Sequence, residues 1–125
     1  MSRLKLTQEH VEAALLGGCF FGGGGGGSMG KGRALGEAAL AAGPLELVSL
    51  DEIDPEAVVV TCSAVGAPAS KEAMAKPEAA MRVIELMAKL DVSPPAGLIT
   101  NENGGGSTFN GWLPAAMSGL LLIDA

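Results

Sequence analysis

The chain has 125 residues, a formal net charge of −6, and 48% apolar against 18% charged residues. That length suits one globular domain with a buried core, and so few surface charges point to apolar surface that meets a partner. The acidic balance excludes nucleic acid and anionic membranes, which require a basic footprint that eight scattered Lys and Arg do not make. No apolar run approaches the ~20 residues of a membrane-spanning helix. Cys19 and Cys62 do not form a spaced disulfide framework, and no signal peptide precedes them. A soluble, reduced, cytoplasmic protein is the expectation.

In chain order, Thr7 is placed to cap a first helix that carries Val11, Ala14 and Leu15 on one face and ends at Gly17-Gly18. Cys19-Phe20-Phe21 leads into the glycine run Gly22 to Gly27. Ser28 then caps a second helix reaching about Ala42, closed by Gly43-Pro44. Leu45 to Leu50 and Ala57 to Thr61 read as strands, the second an apolar run of the kind buried on both faces of a parallel sheet. A helix starts at Pro77 and runs to about Leu90, with Met81, Ile84, Met87 and Ala88 on one side. Leu98 to Thr100 and Leu120 to Ile123 are further strands. Strand, helix, strand, helix, strand from Val58 onward is the pattern of right-handed βαβ units. The expected architecture is a single three-layer α/β domain over residues 1–125: a mostly parallel sheet, helices on both faces, and Gly-rich loops at strand ends.

Chemistry is expected at those strand ends. In open parallel sheets, ligands bind beyond the carboxyl ends of the strands, where glycine N–H groups can approach an anion or a polar ring. The loop Asn101-Glu102-Asn103-Gly104-Gly105-Gly106-Ser107 follows one such strand, and Asp124 ends another. Glu102 is the candidate for proton transfer, with a helix-start acid as the bland alternative. Gly25 to Lys31 has the spacing of a phosphate loop, but Gly32 stands where a magnesium-holding Ser or Thr is needed, and a helix stands where a strand is needed. The glycine run reads better as N–H donors, Gly23, Gly24, Gly25 and Gly26, that meet a substrate carboxylate or polar ring at a helix start. A third small-residue loop, Thr61 to Pro68, contains Gly66 and a strand-end thiol. Cys62 has no histidine beside it, since His10 is in the first helix, and it reads as a small buried hydrophobe. One histidine and two distant cysteines do not make a metal site from this chain alone, and the cofactor, including a metal supplied by another domain, stays open.

Taken together, Cys19-Phe20-Phe21 with its glycine run, Val65-Gly66-Ala67-Pro68, Glu102 to Ser107, and Gly119 to Ala125 resemble the N-terminal domain of the S-methyl-thiohydantoin desulfurase-like family. The resemblance spans nearly the whole chain in the same order. It implies hydrolytic chemistry on a hydantoin-type five-membered ring, water displacing a thiol from an S-methylated thiohydantoin. It also implies a longer two-domain protein, of which this chain is the N-terminal part, so that a C-terminal domain or a partner chain is missing here. Uninterrupted Gly22 to Gly27 stands where the family often has Thr, and Ser107 where it often has Asn. The implied roles are catalysis by Glu102 and Asp124, and substrate binding by Gly23 to Gly26, Gly66, Asn103, Gly104, Gly105, Gly106 and Ser107. The competing class is a non-catalytic ligand-binding or partner subunit, and a homo-oligomer is left open.

Overall fold

A computed structural model describes residues 3–64, 76–90 and 92–125, apart from the side chain of Pro77. The elements are β1 (Leu4–Lys5), α1 (Gln8–Gly22), α2 (Met29–Ala42), β2 (Glu46–Ser49), β3 (Val59–Cys62), α3 (Pro77–Lys89), β4 (Gly97–Thr100), α4 (Trp112–Ser118) and β5 (Leu121–Asp124). Short 3-10 turns cover Leu50–Glu52 and Ser107–Phe109. The strands form one sheet in the order β1-β2-β5-β4-β3. β2, β5, β4 and β3 are mutually parallel, and only the two-residue β1 runs antiparallel to its neighbour. The expected parallel α/β fold is therefore present.

Alternation along the strands decides which side chains meet the helices. Leu47, Leu98, Leu122 and Val60 are level with one another in register and share a face. With Val11 and Leu15 of α1, Ala39 of α2, Phe109, and Trp112, Leu113, Ala115 and Ala116 of α4, they make the core. Phe109 and Trp112 stack obliquely within it, ring centroids 4.8 Å apart. The opposite face presents Val48 and Ile123, which are also buried.

Local chemistry accounts for the helix starts. The Thr7 N–H donates to Nδ1 of His10 at 3.0 Å, so His10 closes the start of α1 and is half-buried rather than merely solvated. Ser28 accepts the Lys31 N–H at the start of α2, and Pro77 occupies the first turn of α3. α1 and α2 are also linked by Arg33, whose guanidinium grips both carboxylate oxygens of Glu12 at 3.0 and 2.6 Å. The same pair holds the Glu12 carboxyl below its ordinary range.

Two expected elements differ. α1 does not stop at Gly17-Gly18 but continues to Gly22, because a side chain is not wanted at Gly18: a Cβ there would stand 2.5 Å from the Gly104 carbonyl oxygen. β3 is not a central strand buried on both faces. It is the sheet edge opposite β1, its residues only half-buried and Thr61 exposed. A run of β-branched residues there reflects strand propensity and one covered face, which a short sequence cannot separate from two covered faces.

Candidate functional site

Parallel pairing brings four chain segments to one rim. Ser49 is opposite Asp124, Cys62 is opposite Thr100, and the Leu98–Leu122 register, carried two residues on, sets Thr100 beside Asp124. The row Ser49, Asp124, Thr100, Cys62 thus crosses the carboxyl edge of the sheet, all on the face that meets α4. Between this row and the start of α4 lies an open hollow of about 150 Å³. Leu98 and Leu122 floor it, Trp112 forms one wall, and Thr100, Asn103, Thr108 and Asp124 supply polar groups. Gly111 sits under the hollow, where a Cβ would be in ordinary contact with Leu98, Leu122 and Cys62.

Hydrogen bonds within the loop after β4 hold those polar groups in place. The Thr100 hydroxyl lies 2.9 Å from the Ser107 carbonyl oxygen and 3.2 Å from that of Glu102. Thr108 accepts the Gly104 N–H at 3.0 Å and donates to Oδ1 of Asn103 at 3.3 Å. Asn103 is therefore oriented by a side chain from the far end of its own loop. Cys62 donates to the Asn110 carbonyl at 3.1 Å, and burial pushes its thiol up from the ordinary range, the reverse of what an activated nucleophile requires. Cys62 acts as a half-buried packing residue with one weak bond.

The two glycine clusters touch each other. The Gly26 carbonyl accepts the N–H groups of both Gly106 and Ser107 at 2.8 Å, and a Cβ on Gly26 would fall 2.6 Å from the Gly104 Cα. Gly23, Gly24, Gly26 and Gly27 all have positive φ, so this turn needs glycine for its path as well as for the contact. The Gly23 N–H donates to Phe20 and the Gly25 N–H to Gly22. With the Gly104 N–H held by Thr108, five of the amides expected to meet a substrate bond within the protein: Gly23, Gly25, Gly104, Gly106 and Ser107. Ser107 is itself 7% exposed, and its Oγ, pressed between Gly26 and Gly104, is buried without a hydrogen-bond partner among the described residues.

The placement of the remaining expected residues is uneven. Asp124 and Asn103 line the hollow. Glu102 is exposed in a bend of the loop after β4 and is not among the residues lining the hollow; no helix starts until Ser107, so it is not an acid of a helix's first turn. Gly66 lies outside the described residues. Among the described residues no three His, Cys, Asp or Glu side chains converge as a metal site would need, and no helix is long and apolar enough to cross a membrane. Trp112, Thr100 and Thr108 were not expected. The adjacency of strand ends was a signal for Thr100, but nothing local marks Trp112 or Thr108, which arrive through the return of α4 over the sheet.

Comparison with known proteins bears on the fold. The family model described as "S-Me-THD-like, N-terminal domain" matches residues 9–125. A crystal structure of a protein from Chromobacterium violaceum superposes with a TM-score of 0.69 at 26% sequence identity, over 98% of this chain and 34% of that one. The chain thus spans about a third of the length of that protein. A comparison with curated proteins gives no match.

Proposed function

Because the chain belongs to the S-Me-THD-like family as its N-terminal domain, we propose that it forms one half of a site for hydrolysis at a small five-membered ring of the hydantoin or S-methyl-thiohydantoin type. The observation that carries this reading is the hollow at the carboxyl rim, which joins an apolar floor and an indole wall to one carboxylate, one amide and two hydroxyls. A flat ring with alternating N–H and C=O groups has matching needs: its face packs on Trp112, and its edge exchanges hydrogen bonds with Asp124 and Asn103. In the reaction, water adds to the ring carbon that carries sulfur, the carbon–sulfur bond breaks, and a ring carbonyl and a free thiol remain. One group must take a proton from the water and one must deliver a proton to the departing sulfur. Asp124 lines the hollow and takes the first task, and Glu102, exposed in the loop after β4, is assigned the second. The hollow is smaller than the roughly 300–1,000 Å³ of enclosed ligand sites, which favours closure by a further domain over a complete site.

Trp112 is the only tryptophan in the chain and gives the test a built-in probe. Titrating hydantoin or its S-methyl-thio analogue should produce a saturable change in indole fluorescence, and Asp124→Asn should weaken the apparent affinity by about tenfold, the cost of a hydrogen bond to a charged group. No change with either ring, or an unchanged affinity in Asp124→Asn, would remove the hollow from consideration. Binding without turnover in every form of the protein would favour the second reading, a ligand-binding module, to which the exposed position of Glu102 already points.

A further inference from the structure

From Ala13 to Gly30 the chain carries no charged residue. Most of that stretch is α1, a helix apolar on both sides. Its inner side, Val11, Leu15 and Gly18, is buried against α2 and the loop after β4. Its outer side carries Ala13, Leu16, Gly17 and Phe20 at the i, i+3, i+4, i+7 spacing of a single stripe, and Phe21 follows. Leu16 is 65% exposed, Phe20 81% and Phe21 77%. Two of the three phenylalanines in the chain therefore stand in solvent, edge to face with ring centroids 5.4 Å apart. A helix that is apolar all round is expected to be covered on both sides.

We propose that the outer stripe of α1 is the contact between two copies of this chain, paired antiparallel about a two-fold axis that passes near Leu16 and Gly17. The order of residues along the stripe is what selects a second copy. Its N-terminal end is small, Ala13, and its C-terminal end bulky, Phe20 and Phe21. At its middle bulky Leu16 adjoins Gly17, and no atom stands within 4 Å of a Cβ built on Gly17. Antiparallel pairing lays Phe20 of each helix over Ala13 of the other and Leu16 over Gly17, so one patch satisfies itself, as a two-fold interface requires. Area agrees with this. Two largely exposed phenylalanines at ~150–250 Å² each, with Leu16, give roughly 500 Å² per copy. Two copies then bury about 1,000 Å², the lower bound for a specific interface, before any polar rim is added. The same 500 Å² left open is about the size of the largest apolar patch on a typical monomer, a patch that is often an interaction site. No charge lies within the stripe from Ala13 to Phe21; of the acids flanking it, Glu12 is held by Arg33 of its own chain and Glu9 stands one turn before Ala13, at the rim.

Sedimentation velocity of the 125-residue chain from about 1 to 100 µM should show a concentration-dependent dimer. Phe20→Asp, which changes an exposed side chain and leaves the core untouched, should weaken self-association at least tenfold while circular dichroism and melting stay as in the parent. A monomer throughout that range, or a dimer equally strong in folded Phe20→Asp, overturns the proposal. Should Phe20→Asp fail to fold, Gly17→Cys decides. Near the axis the two introduced thiols fall within disulfide reach, so mild oxidation should give a covalent dimer well above the background from Cys19 and Cys62 in the parent. No excess of covalent dimer overturns the proposal as well.

Discussion

At the scale of single residues, the contrast between Glu102 and Ser107 shows what a motif conveys. Both belong to the loop Asn101 to Ser107, which the sequence marks as a candidate functional loop. Whether a side chain in it faces outward or is sealed depends on a glycine turn some eighty positions earlier. Ser107 is sealed by Gly26 and Gly104, and its hydroxyl has no partner among the described residues. Ser107→Ala removes an unsatisfied buried group and should be neutral or stabilising by about 1 kcal/mol, read from chemical denaturation. A loss of 1 kcal/mol or more would show that the hydroxyl is bonded in solution. The same variant also scores the role expected from the family resemblance: if Ser107 contacts substrate, ring binding to the hollow must fall while stability does not. Glu102 is tested in an extended, catalytically active form. Glu102→Gln should lower kcat by roughly 10²–10⁴ if its carboxyl carries the proton, and an exposed residue outside any helix leaves little stability to lose. Unchanged kcat would leave Asp124 as the remaining acid of the hollow.

At the scale of elements, the helix and strand positions were largely legible and their surroundings were not. Thr7, Ser28 and Pro77 mark three helix starts by the chemistry of their first turns, and the structure begins those helices at Gln8, Met29 and Pro77. Helix ends failed where glycine served packing instead of termination. Gly18 lies inside α1 at a propensity cost of about 1 kcal/mol because the β4 loop backbone rests on it, and that loop is distant in sequence. The same confusion can be resolved by experiment in α2, which contains both kinds of glycine. Gly30 has open space around its Cα, whereas a Cβ on Gly32 would overlap the Gly105 carbonyl oxygen. Gly30→Ala should therefore stabilise by about 0.5–1 kcal/mol through helix propensity and a less flexible unfolded chain. Gly32→Ala should destabilise by about 1–3 kcal/mol, since one backbone must move away from the other. Equal effects of the two substitutions on melting temperature would mean that α2 does not rest on the Gly105 backbone as described.

At the scale of the whole molecule, the parallel sheet matters because it aligns strand ends that the sequence keeps far apart. Val58 to Thr61, Leu98 to Thr100 and Leu120 to Ile123 were readable as parallel partners from the βαβ alternation. β2, placed beside β5, was not, because its long connection to β3 carries no helical crossover signal. That placement puts Ser49 next to Asp124 and completes the row along the rim. The rim remains open: its hollow of about 150 Å³ faces solvent, and the chain spans only about a third of the C. violaceum protein it superposes on. Acid–base steps at a ring gain from exclusion of water, which strengthens each hydrogen bond and protects the reacting carbon from unproductive contacts. Recognition and turnover should therefore separate in this protein. The 125-residue chain should bind hydantoin-type rings through Trp112, Asn103 and Asp124 yet release no thiol from an S-methyl-thiohydantoin, whereas a form extended through the family's second domain should turn it over. The comparison is made by thiol release at matched concentrations with binding followed by indole fluorescence. Turnover by the short chain at a rate close to that of the extended form would show that the open rim is already a complete active site.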